Sequence, residues 1–283
     1  MKSVGFLPTK LFRNFESCRI MTELKIFENV DNKAVAIPFQ YSNSLMKRVC
    51  VVLTAYDDEE AIGQSVKEFL SQRNVVKVIV VDNNSKDKTA KTAFDAGAEV
   101  VKESNQGYGF ACKRGLHTAL LRDDAEIIVL AEGDMTFRGR DIWKLLPFLD
   151  DADLVVGSRT HMAFTDSDSQ MDWFYLWGNL FLAKILELRF FNLKFLARAR
   201  FTDVGCTMRA VNKSALFKII DDLSTGGNHF SPHMMKVALE KGLRVVEVPI
   251  TFRKRVGISK GASVNRKAAV KIGLRMFWHL IAE

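Results

Sequence analysis

The sequence contains few cysteines, and none of them is spaced for a zinc knuckle or a disulfide framework. Four are present, Cys18, Cys50, Cys112 and Cys206, and no CxxC pair occurs among them. Both kinds of scaffold need paired or regularly spaced cysteines, so this pattern excludes them. We expect reduced thiols, as in a cytoplasmic protein.

The sequence also lacks an apolar run long enough to cross a membrane. The longest run, WFYLWGNLFLA at 173–183, is followed by charged residues. It falls short of the ~20 residues that a membrane-spanning helix needs. Residues 1–20 carry cations but no continuous apolar core of about 7–15 residues, so we predict no signal peptide.

Positive charge outweighs negative charge, but unevenly. The 283 residues include 41 Lys and Arg against 33 Asp and Glu, a net charge of +8. The excess lies mostly in the last third, in RFFNLKFLARARF, TFRKRVGISK and NRKAAVKIGLR. This distribution favours phosphate-bearing partners or an anionic membrane surface, and we predict no nucleic-acid partner.

From residue 48 the sequence alternates Val- and Ile-rich runs with amphipathic stretches. RVCVVLTA, VVKVIVVDN, AEVVKE, AEIIVLAEGD and ADLVVGSR predict strands, and the segments between them, including GRDIWKLLPFLDD at 139–151, predict helices. This alternation indicates an α/β fold with a mostly parallel central sheet and helices on both faces. We assign 1–46 to an N-terminal extension of unknown role, 47–262 to the α/β domain and 263–283 to a C-terminal amphipathic helix.

In such a sheet, ligands bind beyond the carboxyl ends of the strands, and here that edge is acidic. Glu132 and Asp134 flank Gly133 and point to the same side of an extended segment, as oxygen ligands of Mg²⁺ or Mn²⁺ would. The structural alternative is that Glu132 caps the next segment and Asp134 starts a turn. The first strand is followed by DDEE at 57–60, where a dinucleotide-binding oxidoreductase would have glycines.

Five motifs occur in the order and spacing of a known family: VVLTAYDDEEAI, VIVVDNNSKDKT, NQGYGFACKRGL, LAEGDMTF and DLVVGSR. With FTDVGCTMRAVNKSAL and VEVPITFRKRVGISK, the chain resembles family 2 glycosyltransferases of the GT-A fold over about residues 48–262. It is similar to the dolichol-phosphate mannose synthase branch. The resemblance implies a Rossmann-like nucleotide-binding half and inverting transfer of a hexose from a UDP- or GDP-linked sugar. The implied acceptor is a polyprenyl phosphate or another cell-envelope acceptor, such as a glycan.

The resemblance also assigns residues to the donor. Nucleotide binding falls on Thr54, Ala55, Tyr56, Asp58, Asp82 and Gly133. The family's Asp-x-Asp metal motif is Glu132-Gly133-Asp134 here, which implies Mg²⁺ or Mn²⁺ with Asp134 as the principal ligand and a catalytic residue. Phosphate binding falls on Arg159, Arg209, Arg255, Ser259 and Lys260.

Two kinds of acceptor remain open. A polyprenyl phosphate is already anionic and needs no protein base, whereas a sugar hydroxyl needs a carboxylate, for which Asp203 is the catalytic candidate. The alternative role of Asp203 is structural, as a cap or as a partner of Arg209. The aromatic-rich segment at 171–191 and the basic, aromatic C-terminal helix favour a lipid acceptor and peripheral contact with the cytoplasmic face of a membrane. Against this, the arginine that the branch uses for the acceptor phosphate has no counterpart near Asp172.

Three other interpretations are weaker. A nucleotidyltransferase needs a glycine-rich phosphate loop after the first strand, which TAYDDEE does not provide. A non-catalytic sugar-nucleotide-binding module would keep the fold with an altered metal motif, as EGD permits. His229 and His233 are four residues apart, but Pro232 interrupts them and no third ligand is evident, so lining of the substrate pocket is favoured over a zinc site.

Overall fold

The computed structural model describes residues 26–28, 34–36, 42–191, 200–257 and 266–282. It divides into two units, residues 1–41 and 42–283. Within the first unit, β1 (Ile26–Glu28) and β2 (Ala34–Ala36) pair as antiparallel strands. All the site residues predicted from the sequence fall within the second unit, residues 42–283.

The second unit alternates strands and helices along the chain. Its strands are β3 (Val49–Ala55), β4 (Val75–Asp82), β5 (Glu99–Lys102), β6 (Ile127–Glu132), β7 (Leu154–Ser158), β8 (Arg209–Asn212) and β9 (Val245–Pro249). Its helices are α1 (Ile62–Leu70), α2 (Thr89–Asp95), α3 (Tyr108–Leu120), α4 (Ile142–Leu145), α5 (Trp173–Arg189), α6 (Lys213–Ile219), α7 (Phe230–Glu240) and α8 (Arg266–Ala282).

These seven strands form one sheet in the order β5-β4-β3-β6-β8-β7-β9. Every neighbouring pair is parallel except those made by β8, which is antiparallel to both β6 and β7. All seven residues of β3 are buried, as expected of a central parallel strand covered on both faces. The predicted α/β fold with a mostly parallel sheet is confirmed.

Helices α1 and α3 pack against β4, and α3 also packs against β3. On the other half of the sheet, α4 contacts β7 and α7 contacts β9. The carboxyl ends of β3, β4, β6 and β7 consequently share one edge, and the residues that follow them form the candidate site.

The segment at 139–151 departs from the single α-helix predicted for it. Only Ile142–Leu145 is α-helical, between 3-10 turns at Gly139–Asp141 and Leu146–Asp150. Pro147 lies at the start of the second 3-10 turn. Since proline has no backbone N–H to donate to the preceding turn, an α-helix cannot continue through this position without losing a hydrogen bond.

Two long helices, α5 and α8, pack against each other. Within the described parts of the chain, we find no helix whose length and hydropathy would let it span a bilayer.

Candidate active site

A cavity of about 1080 Å³ opens at the carboxyl edge of the sheet. Next to the sheet, its wall is formed by the ends of four strands and by the residues that follow them. From these segments come Thr54, Ala55, Tyr56, Asp58, Asn83, Asn84, Glu132, Asp134 and Arg159. Thr54 and Arg159 are 105 positions apart in the sequence, yet both line this cavity. They meet because the carboxyl ends of the parallel strands lie at the same edge of the sheet.

The acidic pair lies at the end of β6. Asp134 is 2% exposed, and its Oδ1 accepts hydrogen bonds from the backbone N and the hydroxyl of Thr136, at 3.1 and 2.5 Å. Its Oδ2 is turned to Arg255. Burial, followed by the neighbouring Asp134 carboxylate, raises the pKa of Glu132 to about 8. This burial therefore favours the neutral form of the Glu132 carboxyl.

Gly133, between the two acids, packs against Thr54 of β3 and Ile62 of α1. Its backbone N donates to Thr54 O at 3.0 Å. A Cβ added here would lie 2.4 Å from Cδ1 of the buried Ile62, so the position has no room for a side chain. Gly133 is not part of the cavity wall; it lets β6 approach α1 and thereby places the carboxylates on either side of it.

Arg255, which comes late in the sequence of the domain, contacts Asp134 of the acidic pair. Its Nη2 donates to Asp58 Oδ1 at 2.6 Å, and its Nη1 lies 3.0 Å from Asp134 Oδ2. Burial alone would lower the pKa of Arg255, but the carboxylates of Asp134 and Asp58 raise it above its ordinary value. Asp58 and Arg255 are 197 residues apart in sequence, so only the fold brings them together.

The loop after β3 is tied to the loop after β4. Asp58 accepts from Tyr56 N at 3.0 Å, and Asp58 N donates to Thr89 Oγ1 at 2.7 Å. Asp57 has a positive φ of 48°, and its carboxylate accepts from Lys86 N at 2.6 Å. These bonds fix the two predicted nucleotide-binding residues Tyr56 and Asp58 in the cavity wall.

Asp82 was predicted to bind the nucleotide, but its neighbour Asn83 is the residue that meets the cavity. Asp82 is 7% exposed, and its Oδ1 accepts from Ser85 N at 3.2 Å. Asn83 lines the cavity, and its Oδ1 accepts from Gly107 N at 2.8 Å. Asn83 could have been recognised from the sequence, because in VVDNNS it directly follows a buried strand, where ligands of such sheets bind.

Asp203 forms a buried ion pair with Arg159. Arg159 Nε and Nη2 donate to Asp203 Oδ2 and Oδ1 at 2.7 and 2.8 Å, and the backbone N atoms of Arg159 and Gly205 donate to the same carboxylate at 3.0 and 3.1 Å. Asp203 is fully buried, whereas Arg159 lines the cavity. We therefore revise the base role suggested for Asp203, because both of its oxygens are already hydrogen-bonded and its partner is Arg159, not Arg209.

Arg209 requires a second revision. It is 1% exposed, its Nη1 donates to Ser231 O at 2.9 Å, and its Nη2 donates to Cys206 O. Burial lowers its pKa. The predicted phosphate contact is disfavoured because the guanidinium is directed at backbone carbonyls instead of the cavity. The other two predicted phosphate-binding residues, Ser259 and Lys260, lie outside the described residues.

Away from the sheet, the cavity becomes apolar and is walled by α5 and α8. The side chains that these two helices contribute are mostly hydrophobic: Phe174, Phe181, Leu182, Val270, Ile272, Leu274, Met276 and Phe277. Phe181 and Phe277 stack with ring centroids 6.0 Å apart. Neither Arg266 nor Asp172 lines the cavity, but Arg266 Nη2 lies 3.9 Å from Asp172 Oδ2, so α8 brings an arginine close to Asp172.

The histidines form a cluster outside the cavity wall. His233 Nδ1 lies 2.7 Å from His279 Nε2, and the ring of His229 is 5.1 Å from that of His279. They join the start of α7 to the end of α8. The predicted lining of the substrate pocket by His229 and His233 finds no support in this arrangement.

The acidic pair fits a hard divalent cation. In the part of the chain that the structure describes, no group of three or more His, Cys, Asp or Glu side chains could hold a metal ion alone. Glu132 and Asp134 present two carboxylates to the cavity, and Mg²⁺ is commonly held by one or two carboxylates with substrate phosphates completing its shell. The donor set therefore suits an ion that arrives with an oxygen-rich ligand.

Comparisons with known proteins agree with this geometry. The glycosyl transferase family 2 model matches residues 50–219. A dolichyl-phosphate hexose transferase of Haloferax volcanii is 28% identical over 232 residues, which cover 80% of this chain and 94% of that protein. A polyprenol monophosphomannose synthase of Mycolicibacterium smegmatis is 27% identical over 237 residues, which cover 80% and 86%.

Among solved structures, a glucosyl-3-phosphoglycerate synthase from Mycobacterium tuberculosis, in complex with Mn²⁺, UDP-glucose and glycerol 3-phosphate, matches with a TM-score of 0.59. The match covers 85% of this chain and 82% of that one, at 16% identity, and so shows the fold alone. The GT-A fold and the resemblance stated from the motifs are confirmed. The chain is a glycosyltransferase and belongs to glycosyl transferase family 2.

Proposed function

We propose that this enzyme transfers a hexose, with inversion, from a nucleoside-diphosphate sugar to a polyprenyl phosphate. The observation that carries the proposal is one continuous cavity with two chemically different ends. Carboxylates and arginines surround the end at the sheet, and apolar side chains of α5 and α8 surround the other. A donor with charged phosphates and an acceptor with a long apolar chain match these two ends.

At the sheet, the residues are arranged for a sugar nucleotide. Thr54, Ala55 and Tyr56 line the cavity beside Asn83, and these groups would hold the base and ribose. Asp134 and Glu132 would hold Mg²⁺ or Mn²⁺, which when bound supplies positive charge to the departing diphosphate. Arg255 Nη1, which lies 3.0 Å from Asp134 Oδ2, is close enough to donate to the same phosphates. Ser259 and Lys260, which follow it in the sequence, are proposed to contribute further contacts.

Arg159 is proposed to receive the phosphate of the acceptor. Its pairing with Asp203 uses Nε and Nη2, and its guanidinium lies over the ring of Phe252 at 5.3 Å, so the plane of the group is fixed. Nη1 would then donate to the acceptor phosphate. That phosphate is anionic near neutral pH and attacks without a protein base. Asp203 consequently acts as a positioning residue, and the acceptor oxygen attacks from the face opposite the leaving diphosphate.

The apolar end supports a lipid acceptor over a sugar hydroxyl. A hydroxyl acceptor would need a base with an available oxygen, and the carboxylate of Asp203 accepts four hydrogen bonds. Relatives named as a dolichyl-phosphate hexose transferase and a polyprenol monophosphomannose synthase support the same choice.

The outer surface of α5 and α8 suits a membrane interface. Large apolar side chains that do not line the cavity are exposed there: Trp173 (64%), Trp177 (66%) and Trp278 (62%). Four exposed cations also lie on α8: Arg266, Lys267, Lys271 and Arg275. Aromatic and basic residues together favour binding to the surface of an anionic bilayer. We propose peripheral attachment to the cytoplasmic face of a membrane.

The test is transfer of label from three donors, UDP-glucose, UDP-N-acetylglucosamine and GDP-mannose, to polyprenyl phosphate in vesicles, with Mn²⁺ or with EDTA. We expect one donor to give a chloroform-soluble, acid-labile product that disappears with EDTA and with Asp134→Asn. Asp168→Asn, an exposed aspartate that pairs with Lys254, is the matched control and should retain activity. Label in a water-soluble glycan would overturn the lipid acceptor, and absence of turnover with every donor would overturn the reaction.

A further inference from the structure

Arg255 joins the two acidic loops that meet at the cavity. It bonds Asp58 and Asp134 with its two terminal nitrogens, at 2.6 and 3.0 Å. The side chain of Arg255 is 14% exposed, and those of the two acids are 7% and 2% exposed. The backbone directs it there, because Val256 N donates to Asp134 O at 3.1 Å. One edge of Asp134 is therefore already neutralised by a cation that belongs to the protein.

A divalent ion that arrives alone at Asp134 must contend with this cation. An ion on Oδ2 would lie next to Arg255 Nη1, and two cations on one buried carboxylate oxygen repel each other strongly where water is excluded. If the ion displaced Arg255 instead, a nearly buried guanidinium would lose one of its two partners, which is costly. Since no group of three ligands exists among the described residues, the protein offers little to offset that cost.

A diphosphate removes the conflict. Its oxygens serve as ligands of a hard cation and as acceptors for a guanidinium at the same time. Arg255 can then exchange Asp134 for phosphate while its charge stays paired. We propose that Arg255 keeps free divalent cations from Asp134, so that the site accepts the cation only as its complex with a nucleoside diphosphate. The inference rests on the proposed function for the identity of the ligand.

The competing explanation is a structural clamp, in which Arg255 only holds the loop after β3 against the loop after β6. The two explanations predict opposite changes in the affinity for free cation when Arg255 is replaced. Loss of a clamp would loosen the site and weaken the binding of free cation and of complex alike. Loss of a competing cation would strengthen the binding of free cation and weaken the binding of the complex.

The experiment therefore measures two affinities in each protein. Free Mn²⁺ is titrated without nucleotide and followed by the electron paramagnetic resonance signal of the hydrated ion. The Mn²⁺ complexes of UDP and, separately, of GDP are titrated by calorimetry at saturating Mn²⁺. The variants are Arg255→Gln, Arg255→Lys and the matched control Lys254→Gln. Lys254→Gln makes the same charge change one position away, in a side chain that is 67% exposed.

We expect Arg255→Gln to bind free Mn²⁺ roughly tenfold more tightly than the wild type, and the nucleotide complex roughly tenfold more weakly. Arg255→Lys keeps the charge and should still exclude free Mn²⁺, but a lysine ammonium lacks the planar fork that holds Asp58 and the phosphate together, so the nucleotide complex should bind more weakly. Lys254→Gln should change neither affinity. Circular dichroism melts establish that each variant is folded.

Equal affinity of wild type and Arg255→Gln for free Mn²⁺ would overturn the inference and leave the proposed function standing. If Arg255→Gln weakened both affinities, the inference would also be overturned, the structural clamp would be the better explanation, and the proposed function would stand. If neither the wild type nor Arg255→Gln bound Mn²⁺ with or without either nucleotide, both the inference and the metal-dependent function would be wrong.

Discussion

Substitution of Asp203 by Asn separates the positioning role from the base role. The change keeps the size of the side chain but removes the negative charge that faces Arg159. It also replaces one of the two acceptor oxygens by an amide nitrogen, at a site where the carboxylate accepts from both Nε and Nη2. Asp203 is fully buried and the Arg159 side chain is 14% exposed, so little water is available to replace the lost partner.

The expected loss of stability follows from this burial. Removing one partner of a buried ion pair typically costs about 3–5 kcal/mol, and the partial exposure of Arg159 places the estimate at the lower end, about 3 kcal/mol. For a domain of this size each kcal/mol lowers Tm by about 2–4 °C, so Tm should fall by roughly 6–12 °C.

A matched control exists at the protein surface. Asp153 Oδ2 accepts from the backbone N and the Nε of Arg244, at 2.8 and 3.3 Å, which repeats two of the bonds between Arg159 and Asp203. The Arg244 side chain is 64% exposed, so Asp153→Asn should cost only about 0–1 kcal/mol. Differential scanning calorimetry of the two variants compares the same substitution in a buried and in an exposed pair.

Kinetics complete the test. If Asp203 positions Arg159, Asp203→Asn should raise KM for polyprenyl phosphate, leave the pH profile of kcat unchanged, and resemble Arg159→Lys. A catalytic base would instead show a loss of about 10²–10⁴ in kcat. The reasoning is refuted if Tm stays within ~2 °C of the wild type, or if kcat alone falls and recovers as the pH rises.

Three further perturbations test the rest of the structure. Gly133→Ala should destabilise the protein by about 1–3 kcal/mol in urea unfolding, and Ile62→Val, which removes the overlapping Cδ1, should restore part of the loss; additive effects would contradict this contact. Burial raises the pKa of the Cys50 and Cys206 thiols from the ordinary value of 9.0 to about 12, so both thiols favour the folded state below pH 9 and stability should fall between pH 9 and 12; an equally steep fall in the Cys50→Ala, Cys206→Ala double variant would contradict it. Trp278→Ala should lower binding to anionic vesicles roughly tenfold in flotation without changing Tm, and unchanged flotation would remove α8 from the membrane face.

Much of the sheet follows from local sequence. The apolar runs that became β3, β4 and β6 are nearly continuous, and only a strand covered on both faces requires that pattern. The segment at 139–151 was less predictable, because its helical period is real but the α-helix ends at Leu145, before Pro147, which has no backbone N–H to continue it.

The candidate site was predictable in its residue types more than in its contacts. The acids at the strand ends follow from the direction of the strands, so Glu132, Asp134 and Asp58 could be placed near one another. The partners of the arginines could not be predicted, because charge and spacing do not say which carboxylate a distant arginine will contact. The resemblance assigned phosphate binding to both Arg209 and Arg159, but the fold buries the first against carbonyls and pairs the second with Asp203.

The helix α8 both walls the cavity and presents Trp278 to the exterior. On the proposed function, an acceptor held in a bilayer would reach the site by lateral diffusion, never entering bulk water. Turnover should then depend on the mole fraction of acceptor in the vesicle. Diluting the vesicles with buffer would leave that quantity unchanged, whereas diluting the acceptor with inert lipid would lower it.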